Sequence, residues 1–297
     1  MKWDYSAVTV WGLDQKGPDD NDIFTRELFK LISTLGCEVE SATPLNGYQQ
    51  GFSLTRKGEL VCQAFTGGTG SASGSSQFIA ASTANEVYPV LQDQFPLHSL
   101  SRADAAEDFF GVGTWATLEA MLTEIAHKHG VTMAPFGEGH VRPDGTRDET
   151  KGRSWYFGSK SSNFRIVLYE KGLEQIAKGI PADPTWVRLE VRVRPNSKAK
   201  ASLGKAKLVP FDLFGMSRWG VDVGEMLGGQ DLVRFNIGSV WKPSEQEKVA
   251  VKICRMFDRG LDALLLEYGS PEAVGRAIYG VKEKTSEAKK SLKDLAF

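Results

Sequence analysis

Histidine is scarce in this chain, with four among 297 residues: His98, His127, His129 and His140. No two of them bracket a hydrophobic residue in a way that would present two imidazoles to one metal. His127 and His129 close a helical pattern, where cations at a helix C-terminus are the ordinary outcome. Cysteine is equally sparse. Cys37, Cys62 and Cys254 are odd in number and widely spaced, which excludes a disulfide framework or a zinc motif and fits a reducing compartment. No apolar run reaches roughly 18 residues, and the N-terminal MKWDYSAV lacks a signal-peptide pattern, so a cytoplasmic protein with no membrane partner is expected. The Gly-rich run GGTGSASGSS, 67–76, lacks the Lys-Ser/Thr that completes a phosphate-binding P-loop. A hairpin loop is the plain reading, and a lid over a ligand the other.

Neither sign of charge dominates: 36 Lys and Arg face 37 Asp and Glu, for a net charge of −1. The distribution is uneven, however. Between Trp186 and Lys207 seven cations accompany Glu190 alone, and 142–171 is also basic. Clustered cations of this kind favour a phosphate-bearing partner. Trp155, Tyr156, Phe157 and Trp186 could stack unpaired bases, although burial is the commoner fate of aromatics.

At 297 residues and 41% hydrophobic, the chain is long enough for two lobes. Residues 6–13 read as a strand, followed by a helix from Asp22 to Leu35 closed by Gly36. Strands are expected near 50–55, 59–65 and 77–81, a helix over 84–94, a strand over 101–108, and a helix starting at a Thr114 cap and running to 129. Strands near 131–134, 154–158 and 163–170 precede a helix over 172–178 and a strand over 185–194. The alternation predicts an α+β fold whose antiparallel sheet is built from two βαβ-like, ferredoxin-like halves. Beyond residue 200 the texture becomes helical, with helices over 244–266, 271–279 and 282–295. That divides the chain into 1–200, carrying the chemistry, and 201–297, a helical accessory region for duplex DNA, a partner or a second copy. The segment 136–153 is a polar loop that could contact substrate.

Three strands concentrate chemistry. In FRIVLYEK, Arg165, Val167, Tyr169 and Lys171 alternate onto one face. In WVRLEVRVRP, Arg188, Glu190, Arg192 and Arg194 face away from an apolar row. In SRADAAED, Arg102, Asp104 and Asp108 share a face, while Glu107 points the other way and reads as structural. Tyr169, Asp104 and Glu190 could therefore meet on one sheet face. Carboxylate oxygens suit a hard divalent cation, and a Tyr needs a cationic or metal-rich setting to act as a nucleophile. Asp104 and Asp108 lie about 13 Å apart along an ideal strand and cannot both hold one ion. Asp104 with Glu190 is the favoured pair, with Asp108 a lesser candidate.

In order and spacing, SRADAAED, YFGSKSSNFRIVLYEKGLE and WVRLEVRVR resemble the motif set of the Rep-trans family over roughly residues 5–195. These are rolling-circle replication initiators of small plasmids and filamentous phages, with related relaxases of conjugative elements. The small residues Ala103, Ala105 and Ala106 stand where the family has larger apolar ones. The resemblance implies a bacterial cytoplasmic endonuclease that nicks and rejoins origin DNA, single-stranded or cruciform at the nick site. Tyr169 would form a phosphotyrosine intermediate, and Mg²⁺ or Mn²⁺ would be held by Asp104 and Glu190. Arg165, Lys171 and Arg188 would stabilise charge. A host helicase and polymerase would be partners. A second cleavage would call on Tyr156, a second protomer in a homodimer, or an acidic residue with water. Two alternatives stay open: a conjugative or mobilisation relaxase with the same chemistry, and a non-catalytic single-strand-binding protein.

Overall fold

The computed structural model describes residues 1–15, 22–137, 148, 150–228, 232–237 and 245–294. The expected substrate loop, 136–153, falls largely outside the described residues, as do His140 and the side chain of Cys254.

Strand β1 (Lys2–Trp11) leads to helix α1 (Ile23–Leu35), then to a meander of β2 (Glu38–Ala42), β3 (Gln50–Arg56), β4 (Glu59–Thr66) and β5 (Ser75–Ala80), and to α2 (Ala84–Gln94). The plan then repeats. Strand β6 (Ser99–Phe109) leads to α3 (Thr114–Lys128), then β7 (Met133–Phe136), β8 (Ser154–Phe157), β9 (Phe164–Tyr169) and β10 (Val187–Val193), and to α5 (Ser197–Lys205). The repeat has one unequal member: α4 (Lys171–Ala177) joins β9 to β10, where the Gly-rich turn joins β4 to β5. The ten strands form one sheet in the order β2-β3-β4-β5-β1-β6-β10-β9-β8-β7, and every pairing is antiparallel. The first strands of the two halves, β1 and β6, meet at the centre.

The expected α+β fold is present, with each half built as a strand, a helix and a four-strand meander. Sequence reading missed β2, whose EVESA offers no apolar alternation, and α5, hidden in a basic run. It placed α1 and its caps correctly. Asp22 accepts from Phe24 N at 3.1 Å, and Gly36 adopts φ 60, so Phe24, Leu28, Leu31 and Leu35 reach the core as one stripe. Helix α3 begins one residue earlier than its expected cap: Gly113 occupies the N-cap, and Thr114 is already helical.

The core lies on one face of the sheet. Val8, Phe78, Ala103, Ala105, Leu189, Val191, Ile166 and Leu168 are buried in one cluster with helix residues such as Leu31, Tyr88 and Leu122. Each large member contributes about 1.5–3 kcal/mol by leaving water, which fixes the strand register, because a one-residue slip would turn the whole row outward. The small residues of β6 admit bulky neighbours. Trp3 meets Tyr88 edge-on at 4.8 Å, and Phe164 meets Trp219 at 4.9 Å.

The first compact unit runs from Met1 to Val240, beyond the boundary at 200 suggested by the change in texture. The 3-10 segment Pro210–Met216 and α6 (Arg218–Met226) belong to it, burying Leu213, Phe214, Met216 and Val223. The second unit, Trp241–Phe297, holds α7 (Glu245–Tyr268), interrupted at non-helical Phe257, and α8 (Pro271–Asp294). Helix α8 is continuous where two helices were expected. Among the described residues, no helix is long and apolar enough to cross a membrane.

Candidate active site

Antiparallel partners share a face, so the register lays out the opposite side of the sheet row by row. In one row Asp108, Arg188, Tyr169 and Ser154 lie side by side on β6, β10, β9 and β8. Ala106, Glu190, Val167 and Tyr156 form the next row. Asp104, Arg192 and Arg165 form the third, joined by Tyr5 of β1. Tyr169, Glu190 and Asp104 therefore share one face, as their alternation in sequence suggested. This face is also protected from water: Asp104 is 1% exposed, Glu190 4% and Arg188 7%.

Buried charges require partners, and these are arginine forks. Arg102 grips Asp104 through Nε at 2.9 Å and through Nη2. Arg192 grips Glu190 at 2.7 and 3.2 Å, and its Nε stands 3.9 Å from Asp104. It thus bridges the two carboxylates. Arg188 grips Asp108 at 2.6 and 2.9 Å and reaches Asp4 at 3.0 Å. Lys2 and the Trp186 indole also donate to Asp108, at 3.0 and 2.7 Å.

These surroundings separate the carboxyls. Burial pushes Asp104 up to about 6, reinforced by Glu190 and opposed by Arg102. Burial acts upward on Asp108 too, but its bonds from Arg188, Lys2 and Trp186 win and hold it down at about 2. Asp4 is raised by burial and by Glu190. Asp104 and Glu190 share the Arg192 guanidinium between them. Mg²⁺ is commonly held by one or two carboxylates together with water and substrate phosphate, and each carboxylate oxygen keeps a lone pair beyond its arginine bond. The pair fits such an ion on these grounds. Among the described residues, no cluster of three or more potential ligands forms around it.

Tyr169 departs from expectation. Burial and Glu190 push its phenol well above the ordinary value, and Arg188 only partly opposes them. Two of the three cations named from the sequence, Arg188 and Lys171, are committed elsewhere. Arg188 serves Asp108 and Asp4. Lys171 is not a strand residue, because β9 ends at Tyr169 and Lys171 opens α4. Its Nζ lies 5.6 Å from the Tyr169 ring centroid and 2.9 Å from Glu174. Arg165 stacks over the Tyr156 ring at 4.1 Å, and its buried Nε has no hydrogen-bond partner. Burial and nearby Arg192 lower the Arg165 guanidinium from its usual range.

A cleft of about 480 Å³ opens beside these residues. Tyr169 and Tyr156 line it together with Lys151, Arg153, Lys171, Lys178 and Arg192, and with Glu170 and Glu174, which pair Arg153, Lys171 and Lys178. Sequence reading missed Asp4. A bulge in β1 leaves it unpaired between Trp3 and Tyr5, and simple alternation carries no signal for that.

The comparisons bear on this same region. Residues 98–205 match the family model Rep_trans, described as replication initiation factor, a span that contains β6, β9 and β10. That span includes the three strands whose motifs resemble this family. A solved structure of a rolling circle replication initiator protein from Geobacillus stearothermophilus is similar at 14% identity and a TM-score of 0.48, covering 79% of this chain and 99% of that one. No curated protein matches the sequence.

Proposed function

We propose that this protein starts rolling-circle replication by nicking and later rejoining origin DNA through a phosphotyrosyl link. One observation carries the reading: Tyr169, Glu190 and Asp104 share a protected sheet face, with Tyr169 lining a cleft that also holds Arg192 and Lys171, within the segment that matches replication initiation factors.

In the proposed step, the Tyr169 oxygen bonds to phosphorus as the bond from phosphorus to the 3′ oxygen breaks. The tyrosine then holds the 5′ phosphate, and the free 3′ hydroxyl is available to a host polymerase, with a helicase opening the duplex ahead. The reverse attack by a 3′ hydroxyl rejoins the strand without ATP, because the ester stores the bond energy. Asp104 and Glu190 would hold Mg²⁺ or Mn²⁺, whose charge, when bound, offsets the carboxylates beside the phenol and polarises the phosphate. Arg165, lacking an ion pair among the described residues, is available to a phosphate oxygen. Lys171 borders the phenol from the start of α4. Arg188 acts as a fixed charge opposite the nucleophile, aligned by Asp108. Tyr156, in the same cleft, is the candidate for a second cleavage. A relaxase would use the same chemistry and differ in its origin and its secretion partner.

The forks on both carboxylates favour a second reading, in which the face is an ion-pair lattice of a non-catalytic single-strand binder. One experiment separates the two. Purified protein is incubated with Mn²⁺ and labelled single-stranded DNA spanning the cognate origin, then run on a denaturing gel beside Tyr169→Phe. A covalent adduct in wild type that is absent in the variant is expected. An adduct persisting in the variant would move the nucleophile, with Tyr156 next. Binding without adduct or cleavage in either protein would favour the binder.

A further inference from the structure

The Gly-rich run has no part in the chemistry above, yet it borders a second cavity. It folds as a tight 3-10 turn, Gly70–Ala72, between β4 and β5. Gly68 is required there, because a Cβ would stand 2.0 Å from the Ala72 carbonyl oxygen. In the repeated plan this turn holds the place that α4 holds in the other half. Each connection borders a cavity on the same sheet face: α4 the cleft of Tyr169, and the Gly-rich turn a hollow of about 590 Å³.

The two cavities differ in chemistry. The second is lined by the amides Asn46 and Gln77 and by small hydroxyl residues such as Thr9 and Ser101, with Trp11 and Tyr48 as aromatics and, among the described residues, Lys200 as the only charge. Trp11 is 56% exposed, an unusual position for an indole at the end of a central strand. Asn46 and Gln77 join their amides at 2.7 Å, Nδ2 to Oε1, a bond that does not use the Gln77 NH₂ group or the Asn46 carbonyl. Exchanging the amide assignment of both residues would leave the same two functions. Thr9 and Ser101 share a hydrogen bond at 3.0 Å and can each make another.

We infer that this hollow is a base-recognition subsite for the unpaired DNA flanking the nick, with Trp11 as the stacking platform and the Asn46–Gln77 pair reading a base edge. The inference rests on the nicking reading for its choice of nucleic acid. Three observations carry it. The hollow carries one lysine among the described residues and is otherwise rich in uncharged donors and acceptors, as base edges require, whereas phosphates call for the denser cations found farther along. It shares strand β6 with the active site: Ser101 precedes Asp108 by seven residues, roughly 24 Å at 3.4 Å per residue, with Arg102 and Asp104 between them. That reach suits several nucleotides, within the site sizes of single-strand-binding folds. An exposed indole supplies the stacking surface that such folds use.

The test uses the full chain carrying Tyr169→Phe without divalent metal, and single strands of about 16 randomised nucleotides containing 5-iodouracil. Irradiation is expected to cross-link Trp11 or Tyr48, located by mass spectrometry. Trp11→Ala should weaken binding about tenfold or more, with Trp11→Phe closer to wild type. Gln77→Ala should flatten the sequence preference recovered from the randomised pool. Cross-links confined to the Tyr156 and Tyr169 cleft, with unchanged affinity in folded Trp11→Ala, would overturn the subsite. The covalent adduct assay on wild type reads the nicking proposal separately. A Trp11 cross-link without any adduct would retain the subsite and remove the nuclease, and an adduct without the cross-link would do the reverse.

Discussion

Arg188 lies directly opposite Tyr169 in the β9–β10 register, while its guanidinium closes a two-point fork on Asp108 across the other strand boundary. The cation paired with Tyr169 in the register is thus fixed by a third residue. Asp108 is placed as the residue that aligns Arg188, and with four donors on its two oxygens it has little capacity left for a metal.

Asp108→Asn should therefore destabilise the fold. The folded carboxyl sits near 2 against an ordinary 3.8, so its contribution is complete above about pH 4 and is lost as pH falls toward 2. Two units correspond to roughly 2.7 kcal/mol, reduced by partial exposure to about 1–2 kcal/mol. Urea unfolding from pH 7 to pH 2 is expected to show wild type losing this increment and the variant lacking it throughout. Parallel stability curves for the two proteins would refute the role given to Asp108.

Asp104 works in the opposite direction. Its carboxyl is raised to about 6 in the folded chain, so between about pH 4 and 6 the folded state binds more protons than the unfolded one. In metal-free protein this group makes stability decline as pH rises through that window. Asp104→Asn should remove the decline, at the loss of one arm of the Arg102 fork. In the same variant, Mg²⁺ or Mn²⁺ should no longer raise the melting temperature as it does for wild type. A variant whose stability still declines between about pH 4 and 6, and that still responds to metal, would contradict both expectations.

The site face was readable in the sequence because strand alternation is a local rule and three strands obeyed it. Alternation placed Tyr169, Glu190 and Asp104 on their common face before any pairing was known. It could not give the pairing itself: that β6 lies beside β10, and β10 beside β9, comes from burial of Leu189, Val191 and Ile166 in one core. Nor could it foresee where alternation stops. Lys171 continues the pattern on paper, but the chain turns into α4 after Tyr169, and Asp4 enters the site only because β1 bulges. The forks that commit Arg102, Arg188 and Arg192 were also invisible, since a row of arginines does not reveal which carboxylate each will choose.

The Tyr169 phenol offers a direct reading of the local field. Burial and Glu190 hold its proton on, so Glu190→Gln should lower its ionisation pH in metal-free protein. Saturating Mn²⁺ should do the same in wild type and much less in the variant. The signal is the ultraviolet difference at alkaline pH between each protein and its Tyr169→Phe counterpart, which cancels the other tyrosines. An unchanged or raised ionisation pH in Glu190→Gln would mean that Glu190 does not act on the phenol.

Gly172 tests whether α4 is held by close packing. A Cβ at this position would stand 1.8 Å from the Asp183 carbonyl oxygen and 3.1 Å from Pro184 Cα, both backbone atoms. Gly172 N also donates to the Trp186 carbonyl at 2.9 Å, tying the start of α4 to the start of β10. Relief requires the helix and the 183–186 turn to separate, at a cost of about 1–3 kcal/mol for overpacking. Separation also carries Lys171 away from the Tyr169 ring and Trp186 away from Asp108. Gly172→Ala should accordingly reduce adduct formation several-fold more than the unfolded fraction explains. Gly275→Ala is the control: it lies in α8 with nothing within 4 Å of the new methyl, and should be neutral or stabilising by about 0.5–1 kcal/mol. If Gly172→Ala unfolds at the wild-type urea midpoint and forms adduct at the wild-type rate, α4 has room to move and its packing does not position the site.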